Sequence, residues 1–234
     1  LLLASGAAAE DVVRLATGDG YPPWVDDRRA DGGLALKLIR QLERRSGLAF
    51  EIHFMPWNRG EVMAERGTVD GVFPYIRSAD REARFSFSAP LFTVEEAYWA
   101  APGSNLLTVL SISGLEGHSV CVPRGYAVPP LIMRASTTSM ITLNQPQSMN
   151  DCLRALLMKS TEVVVANPQL IHAWRRNQPG ETPVPQRLPI PALKQHHHIL
   201  WGPSGEKFAA RVDAALAEMD RLGVIRAIEN EALD

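Results

Sequence analysis

The chain has 234 residues, 46% hydrophobic and 21% charged, with 24 Lys and Arg against 26 Asp and Glu for a net charge of −2. That composition belongs to a globular chain rather than a disordered or fibrous one, and the length allows one large core or two smaller ones without help from a metal. The near-neutral balance leaves no overall footprint for nucleic acid, and no stretch approaches the roughly 18 uncharged apolar residues of a membrane-spanning helix.

The first residues, Leu1-Leu2-Leu3-Ala4-Ser5-Gly6-Ala7-Ala8-Ala9-Glu10, run from apolar to small side chains in the manner of a secretory signal remnant over residues 1–9. A mature protein beginning at Glu10 and located in the periplasm is expected. Val12 to Ala16 reads as the first strand, followed by Thr17-Gly18-Asp19-Gly20-Tyr21-Pro22-Pro23-Trp24, a loop dense in turn formers. Leu34, Ala35, Leu38, Ile39 and Leu42 recur at helical spacing, and Gly47 closes that helix.

Phe50 to Phe54 alternates as a second strand, Pro56-Trp57-Asn58 opens a short helix through Met63, and Val69 to Phe73 returns as a third strand. After Pro90 the grammar repeats. Ser119 to Val122 is a strand, Arg124-Gly125-Tyr126 a loop, Met149 to Met158 a helix and Glu162 to Ala166 a strand. Strands alternating with helices predict an α/β class, and the likeness of the halves suggests two lobes built alike. Glu206 to Leu222 is a closing helix with Phe208, Val212, Leu216 and Met219 on one face and Gly223 as its stop. Residues 102–194 hold eight Lys and Arg against four Asp and Glu, net +4, while the remainder is net −6. Lobes of opposite charge can face one cleft.

Cys121 in the strand and Cys152 in the helix are the two cysteines, either one disulfide or two thiols. Export favours the bridge.

Three segments stand in order: Gly20-Tyr21-Pro22-Pro23-Trp24, then Gly67-Thr68-Val69-Asp70-Gly71-Val72-Phe73, then Arg81-Glu82-Ala83-Arg84-Phe85-Ser86-Phe87-Ser88-Ala89-Pro90. Together they resemble the family 3 extracellular solute-binding proteins, the polar amino-acid receptors of ABC importers with the type 2 periplasmic fold. The resemblance extends over roughly residues 12–232 at the level of element order. It implies two α/β lobes joined by two hinge strands and closing on a small molecule. Lobe 1 would be residues 10–99 and 200–234, lobe 2 residues 102–194, with hinges near 98–101 and 195–200. The implied protein is a monomer that hands its solute to an ABC permease or a sensor protein, and it needs no cofactor.

The same resemblance points to site residues. Arg81 lies six residues before Phe87, as the family's carboxylate-binding Arg does, and a planar guanidinium can hold a carboxylate through two parallel hydrogen bonds. Backbone donors are expected around Tyr75 and Ile76, because the stretch from Asp70 to Arg81 is one residue short of the usual pattern and Pro74 has no N–H. Trp57, 13 residues before Asp70, matches the stacking position, and Tyr21 the aromatic of the first loop. Trp24 is rim or core, and Arg59 can add a second cation.

In the second lobe Arg124, Gly125 and Tyr126 occupy the loop where the family often has hydroxyl residues. Asn167 stands where an Asp usually takes the ligand's ammonium. A neutral amide supplies no countercharge, so Asp19 is expected to substitute or the solute to lack a free α-ammonium. The reading is a small carboxylate-bearing solute, an amino acid or a derivative.

His196, His197 and His198 place the first and third ring on one strand face, but lacking carboxylate neighbours they read as a polar crossing strand rather than a metal site. No nucleophile-elbow, zinc-protease or phosphate-loop pattern is present. The rival class is an enzyme resembling the cyclohexadienyl dehydratases, which needs a cleft acid. Glu116, Asp151, Glu162 and Glu181 of the second lobe fall on no predicted cleft loop, so no catalysis is expected. A sensory metabolite-binding module is the third reading.

Overall fold

The computed structural model describes residues 11–232, so the expected signal remnant at 1–9 lies outside the described residues. In chain order the elements are β1 (Val12–Thr17), α1 (Leu34–Ser46), β2 (Ala49–Phe54), α2 (Trp57–Glu65), β3 (Gly71–Ile76), α3 (Ala79–Glu82), β4 (Ser86–Phe87) and β5 (Phe92–Ala100). They continue with β6 (Ser119–Cys121), α4 (Pro130–Thr137), β7 (Thr142–Asn144), α5 (Met149–Leu157), β8 (Val163–Ala166), α6 (Pro168–Arg176), β9 (Gln186–Arg187), β10 (Leu193–Trp201), α7 (Glu206–Arg221) and α8 (Val224–Glu231).

Helix α1 buries Leu34, Leu38, Ile39 and Leu42 along one stripe, and Gly47 ends it in the left-handed region, returning its N–H to the Glu43 carbonyl. Arg44 and Arg45 sit in the last turn, where the helix end carries partial negative charge. Phe208, Val212, Leu216 and Met219 of α7 are buried in the same core.

The strands follow the order β2-β1-β3-β10-β5-β8-β6-β7. β1 is parallel to β2 and β3, and β6 is parallel to β7 and β8, giving two lobes. β5 and β10 run antiparallel to each other and belong to both. β5 pairs with β10 through Glu96, opposite Leu193, and from Ala97 onward with β8, opposite Ala166. β10 makes the matching change at His197, which lies opposite both Phe92 and Ile76.

The third strand begins later than its apolar run suggests and continues through Pro74 to Ile76. Its pairing with β10 shifts register between His198 and Leu200, beside Pro74, so no ladder bond needs the missing N–H. Helices α3, α4, α6 and α8 have no counterpart among the sequence expectations.

Cys121 on β6 and Cys152 on α5 form a disulfide with Cα atoms 5.7 Å apart, fastening that helix to its sheet. The second lobe has a core of its own around Leu115, Val120, Ile132, Ile141 and Val163. Each such side chain contributes about 1.5–3 kcal/mol on leaving water. Among the described residues no helix is long and apolar enough to cross a membrane.

Candidate functional site

The loops after β1, β3 and β6 converge with the two shared strands on a cavity of about 40 Å³. Tyr21, Trp57, Pro74, Tyr75, Ile76 and Arg81 line it from the first lobe, and Val122, Gly125, Tyr126, Ala127 and Val165 from the second. Glu96 and His197, the two positions where β5 and β10 change partners, complete the wall. Crevices of this kind form where strand order reverses, because adjacent loops part there.

A column of rings carries the core up to this cavity. Trp24 stacks on Phe92 at 3.8 Å between centroids, Phe92 on His197 at 4.5 Å, and His197 on Tyr21 at 5.6 Å. Tyr21 is thereby fixed, and its hydroxyl accepts from the Asn167 side-chain amide at 2.9 Å and shares a hydrogen bond with Nε2 of His197 at 3.1 Å. Around Tyr21 the rings of Trp57 and Tyr126 stand nearly perpendicular to it and to each other, with interplanar angles of 81° to 89° and centroids 5.7 to 6.4 Å apart. Three mutually perpendicular rings form the corner of an aromatic box.

Arg81 is buried, with four of its five N–H donors engaged. Its Nε and Nη2 both donate to Oε1 of Glu61, at 3.1 and 2.6 Å, its Nη1 donates to the Ile76 carbonyl, and its Nη2 also donates to the Gly125 carbonyl at 2.9 Å. The guanidinium lies over the Tyr75 ring at 4.7 Å. Arg84 reaches the other oxygen of Glu61 at 3.1 Å, so two cations share one carboxylate. Arg81–Gly125, Asn167–Tyr21 and Tyr126–Gly20 are hydrogen bonds between the lobes.

Gly125 permits this contact. It sits at φ +82°, and a Cβ there would come within 2.6 Å of the Trp57 Cβ.

Two titratable groups on the shared strands are strongly perturbed. Glu96, whose remaining surface faces the cavity, has its carboxyl pushed up to about 7 by burial, with a hydrogen bond from Asn167 working the other way. His197 is pushed down to about 3 by burial and by repulsion from His198 and Arg81. Burial and then the charge of Glu96 hold the Tyr21 and Tyr126 hydroxyls protonated. At neutral pH the wall presents one permanent cation, one carboxyl near its midpoint and neutral rings.

Of the residues expected from sequence, Arg81, Tyr21, Trp57, Tyr75, Ile76, Gly125 and Tyr126 line this cavity. Five do not. Trp24 is 1% exposed beneath Phe92, in the column of rings rather than on the wall. Arg59 points to solvent from α2. Asp19 and Arg124 line a separate exposed groove on the far side of Trp57, where Asp19 accepts from the Asp27 N–H and Arg124 donates to the Gln145 carbonyl.

Asn167 is fully buried as the N-cap of α6, its Oδ1 accepting from the Leu170 N–H. Its oxygen is therefore committed to the helix end and not available to a solute's ammonium.

Glu96 and His197 were not anticipated as cavity residues. Consecutive Glu95 and Glu96 in a strand do carry a signal, because alternation sends one of them inward. Glu61 on α2, the counter-ion of Arg81, meets it through the side chains, 20 residues apart in the chain.

The three histidines do not act together. His196 meets Thr93, His197 meets Tyr21, and His198 bonds the Ser88 carbonyl. Among the described residues, Asp19, Asp26 and Asp27 are the group of His, Cys, Asp or Glu whose atoms lie close enough to share a cation, and it includes none of them.

The family model described as bacterial extracellular solute-binding proteins, family 3, matches residues 13–233. No curated protein sequence matches the chain. Solved structures are similar in fold. An ancestral arginine-binding protein bound to arginine superposes with a TM-score of 0.81 at 16% identity, over 97% of this chain and 100% of that one. An arginine third transport system periplasmic binding protein from Legionella pneumophila gives 0.80 at 16% identity, over 95% and 100%. The GluR0 ligand-binding core from Nostoc punctiforme in complex with L-glutamate gives 0.77 at 16% identity, over 95% and 99%.

Proposed function

The chain belongs to the bacterial extracellular solute-binding proteins of family 3, and from that premise we propose that it captures a small carboxylate-bearing solute, an amino acid or a derivative, by closing its lobes. The observation that supports this reading is the cavity itself. Its walls come from both lobes and both shared strands, and Arg81 is the permanent cation on them.

In this reading residues 10–99 with 200–234 move against residues 102–194, bending where β5 and β10 change partners. The solute's carboxylate meets the Arg81 donor now held by the Gly125 carbonyl, and the box of Tyr21, Trp57 and Tyr126 covers its apolar part and excludes water. Bound solute raises the closed population by its differential affinity for the two states. The protein is exported to the periplasm under residues 1–9, acts as a monomer without a cofactor, and presents the closed form to an ABC permease or, failing one, to a sensor protein.

The test is a thermal-shift screen followed by calorimetry, with L-arginine, L-glutamine and L-glutamate among the solutes, since these occupy structures of similar fold. At least one carboxylate-bearing solute is expected to raise Tm, and Arg81→Ala to abolish the rise. An unchanged rise in that variant removes Arg81 and the carboxylate from the reading.

One observation favours a second reading, an elimination enzyme: Glu96 is a cavity carboxyl held near neutrality, as a general acid requires. Turnover of a cyclohexadienyl acid that disappears in Glu96→Gln would establish it. No turnover leaves binding alone.

A further inference from the structure

Resting on the solute-capture reading above, we propose that Glu96 is the acceptor for a protonated nitrogen of the solute, so that the countercharge in this cleft comes from a shared strand and not from a second-lobe loop. Topology places it there. Glu96 is the last residue of β5 paired to β10, and the next residue is already paired to β8, so its side chain enters the seam between the lobes at the cavity lined by Arg81.

The hydroxyls of the wall are committed elsewhere, while among the described residues Nδ1 of His197 is buried without a partner. Tyr75 donates to the Trp57 carbonyl, Tyr126 to the Gly20 carbonyl, and Tyr21 is held between Asn167 and His197. Asn167 gives its oxygen to the α6 cap and its amide to Tyr21 and Glu96, which makes it a positioning residue for the carboxylate. Among the described residues, Glu96 is the one carboxylate lining the cavity. Beside it, the faces of Tyr21, Trp57 and Tyr126 suit an organic cation, because ring quadrupoles attract positive charge where water is excluded. The charge of Arg81 is already matched by Glu61, so it does not drive such a cation out.

Binding then depends on pH through one group. Tyr21 from the first loop, Tyr126 from the loop after β6, His197 from β10 and Arg81 from α3 line the cavity with Glu96, Asn167 at the start of α6 bonds it, and Tyr98 feels its charge from β5 itself, with Asp19 acting on Tyr126 from further out. The three phenols stay protonated, and His197, pushed down to about 3, stays neutral. A carboxyl pushed up to about 7 loses its charge between about pH 8 and pH 5.5, so affinity for a protonated nitrogen falls by about 30-fold over that interval.

The experiment is calorimetric titration at about pH 8 and about pH 5.5, the window in which Glu96 titrates, of the wild type, Glu96→Gln and Glu96→Asp. The probes are L-arginine, L-glutamine and L-glutamate, their Nα-acetyl derivatives, and agmatine and choline as cations without a carboxylate. The expected result is that a probe with a protonated nitrogen binds the wild type with the stated pH dependence. Glu96→Gln should bind it at least about tenfold more weakly and without that dependence, and Glu96→Asp should keep the dependence.

Should the Gln variant fail to fold, the wild-type pH profile decides, because the Nα-acetyl amino acids lack the α-ammonium and the cation probes have no carboxylate. Binding of Nα-acetyl-glutamine or Nα-acetyl-glutamate alone, lost in Arg81→Ala, upholds carboxylate capture and overturns the role of Glu96. Agmatine binding that needs Glu96, with no carboxylate solute bound, upholds Glu96 and overturns carboxylate capture. Affinity independent of pH, unchanged affinity in Glu96→Gln, or no binding by any probe with a protonated nitrogen overturns the assignment.

Discussion

Arg81 and Glu61 form a buried ion pair, Nη2 to Oε1 at 2.6 Å, with side chains 7% and 12% exposed. A guanidinium removed from water in this way needs its partner, and removing either one leaves an uncompensated charge in the protein interior. Arg81→Ala is accordingly expected to cost about 3 kcal/mol in urea unfolding. Arg84 still touches Glu61 and keeps the loss from being larger. Arg81→Ala with Glu61→Ala should cost less than the sum of the single changes, and additivity would show that the pair is not coupled.

Gly125 sets how closely the lobes approach. Gly125→Ala puts a Cβ 2.6 Å from the Trp57 Cβ at φ +82°, and should hold the lobes apart, raising the radius of gyration in small-angle scattering. The control is Gly103→Ala, which has a similar φ of +76° and open space around it. It shares the backbone cost of about 1 kcal/mol without the clash, and should leave the radius unchanged.

Much of this candidate site was legible through the family resemblance: Arg81 stands six residues before Phe87 as the family's carboxylate-binding Arg does, Trp57 matches the family's stacking position and Tyr21 the aromatic of its first loop. What sequence could not give was the direction in which a loop side chain leaves. Asp19 and Arg124 belong to the right loops but exit on the far side of Trp57. Asn167 precedes Pro168, and Asn before a helix-starting Pro is also a capping signature. The cap prevailed because an orphan N–H at a buried helix end must be satisfied. Glu61 meets its partner 20 residues away through a side-chain contact that no local pattern encodes.

The bridge between Cys121 and Cys152 closes a sequence separation of 31. Restricting the unfolded chain over a loop of that size stabilises by about 3–4 kcal/mol. Thiol titration under denaturing, non-reducing conditions should find none free. Cys121→Ala with Cys152→Ala should lower unfolding free energy by about that amount, and a loss under about 1 kcal/mol would mean the bridge only decorates a lobe that is already rigid.

The stability of the folded protein should respond to acid through two opposed groups. His197 is pushed down to about 3 from the ordinary 6.5, so the unfolded chain binds the extra proton, and stability is lost as pH falls from about 6.5 toward 3. Glu96 is pushed up to about 7 from 4.5, so the folded chain holds the extra proton, and stability is lost as pH rises from about 4.5 toward 7. Between about 4.5 and 6.5 the slopes, each up to about 1.4 kcal/mol per pH unit, run in opposite directions and should nearly cancel. Wild-type unfolding free energy is expected to be flat there. Glu96→Gln should unmask the histidine, giving stability that climbs with pH across the window. His197→Gln should unmask the carboxyl, giving stability that declines with pH. Parallel profiles for the three proteins would mean that neither group titrates differently in the folded state.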